Sequence, residues 1–525
     1  MSNAPKTPQP PRWALLAGVV LAAFSALVPP PAAAAGNPVT DQVQRGAYLT
    51  NAGDCMACHT SKGGQPFAGG LYMNTPFGQI STPNITPDKQ TGIGNWSDDE
   101  FYRVMHEGIG RHAEYLYPVM PFPWYTTVTR DDVLAIKAFL MTQPAVNKAR
   151  PPNKLSFPFS VRESLLAWRE VFFKPGTFVP DPAATDEVNR GRYLAEGLAH
   201  CGECHNAQPV AGTSKFKGSL QGGVIDSWYA PNITSDARDG IGSWSNTDIA
   251  TYLKTGVAPG KSIALGPMAQ TVHSLSKLSD ADLSALAAYL KATPPSAVKG
   301  NDQKLALFKG RDARGGQTYL NFCASCHAID GKGLKGVIPP LDGNGAVTSK
   351  GPQNVINVIV GGLEARERYA PMPAIGAGMT DQEIADVTNY VRQTWANGAP
   401  ATAQAGMAAE ARRKADTLMS AGALSGCPKI DTPTLGKAFD SQRASIDAQL
   451  AGMTDETMPD KAQRLVAQLR ARAPKAANAE LINGLSGAYC NVVRNDAKIE
   501  PNEKSLRLGR FSQLVFMAAD GQRLH

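Results

Sequence analysis

The sequence predicts a mainly α-helical chain of three small tandem domains followed by a small all-α module at the C-terminus, and three observations carry that expectation. The string Cys-x-x-Cys-His occurs three times, at Cys55, Cys58 and His59, at Cys201, Cys204 and His205, and at Cys323, Cys326 and His327. The first two strings lie in a long repeat, in which RGAYLTNAGDCMACH matches RGRYLAEGLAHCGECH and NITPDKQTGIGNWS from Asn84 matches NITSDARDGIGSWS from Asn232. Each of the three stretches then closes on an apolar helical pattern behind an N-cap signal, Thr129 with Asp132, Ser279 with Asp282 and Thr380 with Glu383.

Taken in order, residues 1–35 read as a secretory signal peptide: Lys6 and Arg12 precede an apolar run from Trp13 to Val28, and Ala32 to Ala35 offer a small-residue cleavage site. The run is shorter than the ~20 residues that span a bilayer. The first domain is expected over 36–155, and a connector over 156–183 is bounded by the turn-rich stretches ARPPNKLSFPF and PGTFVPDPAATD. Within it, SVRESLLAWREVFF is apolar on one helical face and reads as a bracing helix. The second domain follows over 184–298 and the third, shorter and more divergent, over 303–398. In all three, an aromatic of the closing helix (Phe139, Tyr289, Tyr390) is expected to pack on the opening helix. Residues 405–525 form a helical extension with 17 Lys and Arg against 13 Asp and Glu. Its last helix carries Leu506, Phe511, Leu514 and Val515 on one face, which packs on its neighbours or meets a membrane surface.

Cys-x-x-Cys-His is the attachment signature of c-type haem. Composition alone would supply such a string ~0.002 times in a chain of this length. Two thiols three apart on a helix share a face and can bond one porphyrin edge, while the adjacent histidine turns toward the iron. Zinc would need four ligands per site, and these pairs stand far apart, each in its own context. Three covalently bound haem c groups are therefore expected. A sixth, axial ligand should come from downstream, and methionine suits an electron carrier because its thioether raises the potential. Met120 in YPVMPFP, Met268 in LGPMAQ and Met372 in YAPMPAI each have a neighbouring proline, which predicts extended segments, and the first two keep the repeat register. Bis-histidine ligation would need His106 or His112 in the first unit and His200 or His273 in the second, and the third has no spare histidine. Met56, Met73, Met105 and Met379 read as core filler. The two remaining cysteines, Cys427 and Cys490, are expected to form a disulfide, which with the signal sequence points to an oxidising compartment.

The formal charge of +7 is spread along the chain without a basic block beside stacking aromatics, so nucleic acid is not an expected partner. The chain has no G-x-S-x-G elbow, no Walker loop and no dinucleotide fingerprint between strand and helix. No residue is therefore assigned a catalytic role. An open coordination site would suggest a haem enzyme such as a peroxidase, a reading that three methionine candidates disfavour.

From about Arg45 to Trp395 the residues resemble the three-haem cytochrome c subunit of bacterial membrane-bound alcohol dehydrogenases and of flavin-dependent gluconate or sugar dehydrogenases. The resemblance rests on RGAYLTNAGDCMACHT, STPNITPDKQTGIGNWSDDEF, LYPVMPFPWYT, WREVFF, FVPDP and NRGRYLAEGLAHCGECH. It implies that each unit is a cytochrome c domain with His59/Met120, His205/Met268 and His327/Met372 as axial pairs. It also implies electron transfer from a quinoprotein or flavoprotein dehydrogenase subunit to ubiquinone or a terminal oxidase, on the periplasmic face of the inner membrane. A free-standing periplasmic shuttle is the alternative. The long extension after residue 400 departs from that family, whose members finish soon after the third domain.

Overall fold

In a computed structural model, the structure describes residues 38–206, 220–295, 314–414 and 434–521, apart from positions 226, 238, 334–335, 337, 364–368, 370–371, 373, 396, 477, 497–498, 500 and 520. Packing divides the chain into Met1–Asp41, described from residue 38 onward, and Gln42–His525, and the contacts that follow lie within the latter. The expected signal peptide falls outside the described residues.

The first unit runs α1 (Pro38–Ala52), α2 (Cys55–His59), the hairpin β1 (Tyr72–Thr75) and β2 (Gly78–Ser81), α3 (Asp98–Glu107), α4 (Phe122–Tyr125) and α5 (Arg130–Leu140). β3 (Lys154–Leu155) adds antiparallel to β2, Gly78 facing Leu155. A 3₁₀ turn at Arg162–Ser164 leads into α6 (Leu165–Phe172). The second unit repeats the order with α7 (Asp186–Glu196), α8 (Gly202–His205), the hairpin β4 (Gly223–Ile225) and β5 (Trp228–Ala230), and α9 (Asn246–Thr255). A second small hairpin, β6 (Val257–Ala258) and β7 (Ser262–Ile263), precedes α10 (Gly266–Leu275) and α11 (Asp280–Ala292). The third unit contains α12 (Arg314–Phe322), α13 (Ala324–His327), α14 (Gly345–Thr348), α15 (Gln353–Gly361), a 3₁₀ turn at Ile375–Gly378, α16 (Asp381–Gln393) and α17 (Ala405–Arg413). The extension supplies α18 (Gly436–Ser441), α19 (Arg443–Leu450), α20 (Met458–Arg472), α21 (Asn478–Asn495) and α22 (Pro501–Ala519). The chain is mainly α-helical, as its sequence predicts.

One helix crossing recurs in the three units, and a glycine makes it possible. A Cβ on Gly46 would stand 1.8 Å from the Ala135 carbonyl oxygen of α5; the corresponding approaches are 1.9 Å for Gly191 on Ala285 and 2.2 Å for Gly315 on Asp386. Each glycine also touches the Cβ of the expected aromatic, Phe139, Tyr289 or Tyr390. Opening and closing helices thus meet backbone to backbone, closer than side chains on both would allow.

The asparagine loops share their turn bonds, while Asn84 Nδ2 alone of the two amides donates to Thr91 and the Val146 carbonyl. Asn84 Oδ1 accepts the Thr86 N–H and Asn232 Oδ1 accepts that of Thr234, an Asx turn in both. The Asp88 and Asp236 carbonyls then accept from Gly94 and Gly242. The connector helix α6 braces the first unit: Phe122 packs edge-on against Trp168 and Phe173, and Arg169 donates to the Glu107 carbonyl at 2.5 Å.

Helix caps separate the closing helices into two kinds. α16 begins with a full capping box, Thr380 and Glu383 bonding reciprocally. Thr129 and Ser279 cap α5 and α11 by side chain alone, without the return bond from Asp132 or Asp282. Reach is not the reason, because Ser245 and Asp248 close a full box at α9. Asp132 and Asp282 are turned outward to the sibling unit. Tyr193 of α7 donates to Asp132 Oδ2 at 2.6 Å and Tyr48 of α1 donates to Asp282 Oδ2 at 2.6 Å. Arg45 and Arg190 complete the two clusters from the aspartates' own units. The first two units therefore interlock reciprocally and share one apolar core that includes Leu49, Ile136, Leu194 and Leu286.

The third unit docks on the second differently. Asn354 accepts the Tyr229 N–H and donates to the Tyr229 carbonyl, and Asn357 donates to the Ser227 carbonyl, so α15 reads the backbone around β5. Arg392 is fully buried, and its guanidinium donates to the carbonyls of Val347, Ser349 and Gly351. α17, inside the span expected for the extension, packs on α15 and α16 with Ala408 and Ala411 in the third unit's core. The remaining helices of the extension build a separate apolar cluster around Leu465, Leu469, Leu485 and Phe511.

Candidate haem sites

Each Cys-x-x-Cys-His string occupies a short helix, α2, α8 or α13, directly after the opening helix of its unit. None of the six cysteines is disulfide-bonded. Burial pushes Cys55, Cys58, Cys201, Cys204 and Cys323 up to about 12, with neighbouring acidic or thiol groups adding. Neutral thiols suit thioether formation and not a thiolate site. Among the described residues no three His, Cys, Asp or Glu side chains converge as a metal-ligand set.

The histidines share one feature that decides their orientation. His59 Nδ1 lies 2.9 Å from the Pro83 carbonyl oxygen, His205 Nδ1 2.7 Å from that of Pro231, and His327 Nδ1 3.3 Å from that of Pro339. A carbonyl can only accept, so Nδ1 carries the proton and Nε2 keeps its lone pair. Burial lowers the pKa of all three, His327 to about 4, which keeps the imidazoles neutral. Two free thiols with an oriented, neutral imidazole beside them fit covalent haem c, the backbone carbonyl acting as the outer partner that fixes ligand orientation. Residue type alone does not mark the three prolines. Pro83 and Pro231 each precede the Asn-Ile-Thr string of the repeat, and that was the available signal.

The methionine candidates lie in three different settings. Met120 sits at a bend before α4 and, like Met268, packs against the core that also contacts Cys55 and Cys201. Met268 is not in an extended segment: it lies in the first turn of α10, with Pro267 among the first two helical positions, where a missing N–H costs nothing. Met372 is extended, exchanging backbone hydrogen bonds with Leu363 at 2.7 and 2.9 Å. Met105 and Met379 are core residues, whereas Met56 is exposed inside its motif. Of the alternative ligands, His112 and His273 are exposed and His106 Nε2 bonds the Gly176 carbonyl. His200 is half-buried with its ring against Tyr125, and desolvation lowers its pKa to about 4.

The first two motifs face one another. Trp124 donates to Glu203 inside the second motif at 2.6 Å, and Ser274 of the second unit donates to Asp54, the residue before Cys55, at 2.5 Å. Burial raises the Asp54 carboxyl to about 7 against the opposing pull of Ser274 and Lys277. Tyr125, whose hydroxyl donates to the Gly53 carbonyl, lies between the two strings. Cys490 is disulfide-bonded, and its expected partner Cys427 lies outside the described residues. Among the described residues no helix is long and apolar enough to cross a membrane.

Comparison with known proteins agrees with this geometry. A family model for cytochrome c matches residues 43–144 and 313–395. The chain is 40% identical over 396 residues, 71% of its length and 89% of the relative's, to the gluconate 2-dehydrogenase cytochrome c subunit of Pantoea cypripedii. It is 39% identical to the alcohol dehydrogenase (quinone) cytochrome c subunit of Gluconobacter oxydans strain 621H, covering 69% of this chain and 80% of that one. With the fructose dehydrogenase cytochrome subunit of Gluconobacter japonicus the identity is 38%, over 70% of this chain and 81% of that one.

Proposed function

The chain belongs to the family of cytochrome c subunits of alcohol, gluconate and fructose dehydrogenases, and from that premise we propose that it relays electrons through three covalently bound haem c groups. The donor is the catalytic subunit of a quinoprotein or flavoprotein dehydrogenase, and the acceptor is ubiquinone or a terminal oxidase. The relay works in the periplasm, peripheral to the inner membrane. The observation that carries this reading is the threefold recurrence of one arrangement: paired free thiols, then a histidine whose Nδ1 is held by a proline carbonyl.

Haem iron, when bound, supplies the one-electron couple. The chain supplies attachment at Cys55 and Cys58, Cys201 and Cys204, and Cys323 and Cys326. His59, His205 and His327 would hold the iron through Nε2, and Met120, Met268 and Met372 would supply the second protein ligand. Cys427 and Cys490 close a disulfide in the extension. The reciprocal bonds of Tyr48 and Tyr193 hold the first two sites at a fixed separation, which an electron relay needs. Purified protein should contain three haems per chain, all low-spin when reduced, with the long-wavelength methionine-to-iron band present when oxidised. A high-spin haem indifferent to substitution of these methionines would refute the ligand assignment. Co-purification from solubilised membranes tests the donor: no dehydrogenase in the complex would leave the free shuttle as the better account.

A further inference from the structure

The first two haem motifs shield each other, and the third has no sibling to do so. Trp124 covers Gly202 so closely that a Cβ there would stand 2.3 Å from its ring, and Gly53 lies against Leu198. On the third motif the corresponding apolar edge is taken by the C-terminal extension. Cys326 packs against the extension's own core, and Ile338, the residue before Pro339, whose carbonyl accepts from His327, is buried as a member of that core. α22 lies against α13, which carries His327, and against the 3₁₀ turn Ile375–Gly378, which begins shortly after Met372. One helix of the extension therefore touches both the histidine side and the methionine side of the site. Behind it stand Phe511 and Val515, both fully buried, with the Phe511 ring 4.6 Å from that of Tyr489.

We propose that the C-terminal extension is a resident cover for the third haem site, keeping water from it and raising its reduction potential. The proposal rests on reading Cys323, Cys326 and His327 as a haem site. Oxidised haem c carries one more positive charge than reduced, so dry, apolar surroundings favour the reduced form. Ile338 and Cys326 on one side, and Leu508, Phe511, Leu514 and Val515 on the other, do this work by excluding solvent. The cover also closes this edge to a docking redox partner.

The test uses the full chain with its haems. Ile338→Ala and Leu514→Ala, singly and together, are compared with the parent by spectroelectrochemical titration, and hydrogen exchange over 501–519 reports whether the cover has loosened. One haem, assigned as the third by its response to Met372→Leu, should shift about tenfold toward oxidation, or ~59 mV for one electron, while the other two hold. Leu514→Ala thins the cover from the extension's side and Ile338→Ala from the third unit's side of one shared cluster, so the two variants should move the same haem in the same direction. Three unchanged potentials despite faster exchange in 501–519 would overturn the proposal, as would an equal shift in all three haems. A parent chain carrying two haems would instead overturn the reading of the third motif, and the haem count shows it beforehand.

Discussion

Replacing Tyr193 by Phe removes one hydroxyl and tests the interlock between the first two units. That hydroxyl donates to Asp132 at 2.6 Å and accepts the Thr129 N–H at 3.1 Å. The Asp132 side chain is 2% exposed, while Arg45, its other partner, is 58% exposed and reaches it from the solvent side. A hydrogen bond to a buried carboxylate contributes about 1.5–3 kcal/mol, and the stranded Thr129 N–H adds to the loss. The expected cost is therefore ~2–3 kcal/mol, or roughly 4–12 °C in the melting of the interlocked pair of units. Tyr48→Phe should cost less, about 1 kcal/mol, because Asp282 is 12% exposed and keeps two bonds from Arg190, at 2.8 and 2.7 Å. Thermal unfolding followed by circular dichroism in the haem bands reads both variants. A Tyr193→Phe protein within 0.5 kcal/mol of the parent, or one more stable than Tyr48→Phe, would refute the argument.

Three further outcomes are expected. Gly46→Ala places a methyl group 1.8 Å from the Ala135 carbonyl and must push α1 off α5, so the variant should lose more than ~3 kcal/mol or fail to take up haem at the first site, which a haem count on the purified protein checks. Substituting Met120, Met268 or Met372 by Leu should each remove about one third of the long-wavelength band of the oxidised protein, and absorption spectroscopy decides it. Asp54 is raised by burial to about 7 in the folded chain, against ~3.9 unfolded. The folded state thus holds its proton longer, so its contribution is complete below about pH 4 and is lost as pH rises to about 7. Asp54→Asn should flatten that slope in a stability-against-pH series, and an unchanged slope would show that Asp54 ionises normally.

The helices, including the short ones that carry the Cys-x-x-Cys-His strings, are legible because their signals are local. Cys-x-x-Cys-His fixes side-chain chemistry within five positions, and the Thr380/Glu383 box marks a helix start within four. The three helix crossings were half legible: Phe139, Tyr289 and Tyr390 announced an apolar face, but the need for Gly46, Gly191 and Gly315 shows only when two backbones meet. Met268 departs from the extended segment that a preceding proline suggests, because proline at a helix start opens the helix instead of breaking it. The proline carbonyls that orient the histidines could not be found by residue type at all, since the acceptor is main chain and any residue could supply it. Only position in the repeat distinguished Pro83 and Pro231.

What separates a paired unit from an unpaired one is, in retrospect, written at two positions. Gly46 and Gly191 are followed two residues later by Tyr48 and Tyr193, whereas Gln317 stands at that distance from Gly315. The third position of the closing helix is aspartate in the first two units, Asp132 and Asp282, and glutamate in the third, Glu383. The two positions are coupled through physics. An aspartate bonded by a tyrosine from the sibling unit cannot also return to its own cap, so those helices give up half of a capping box for an inter-unit bond. Where no tyrosine approaches, the carboxylate turns inward and the box closes. The third unit therefore lacks the means to form the same reciprocal pair, and its apolar edge must be covered by something else. α22 against α13 meets that requirement, which is why the extension and the divergence of the third unit belong to one explanation.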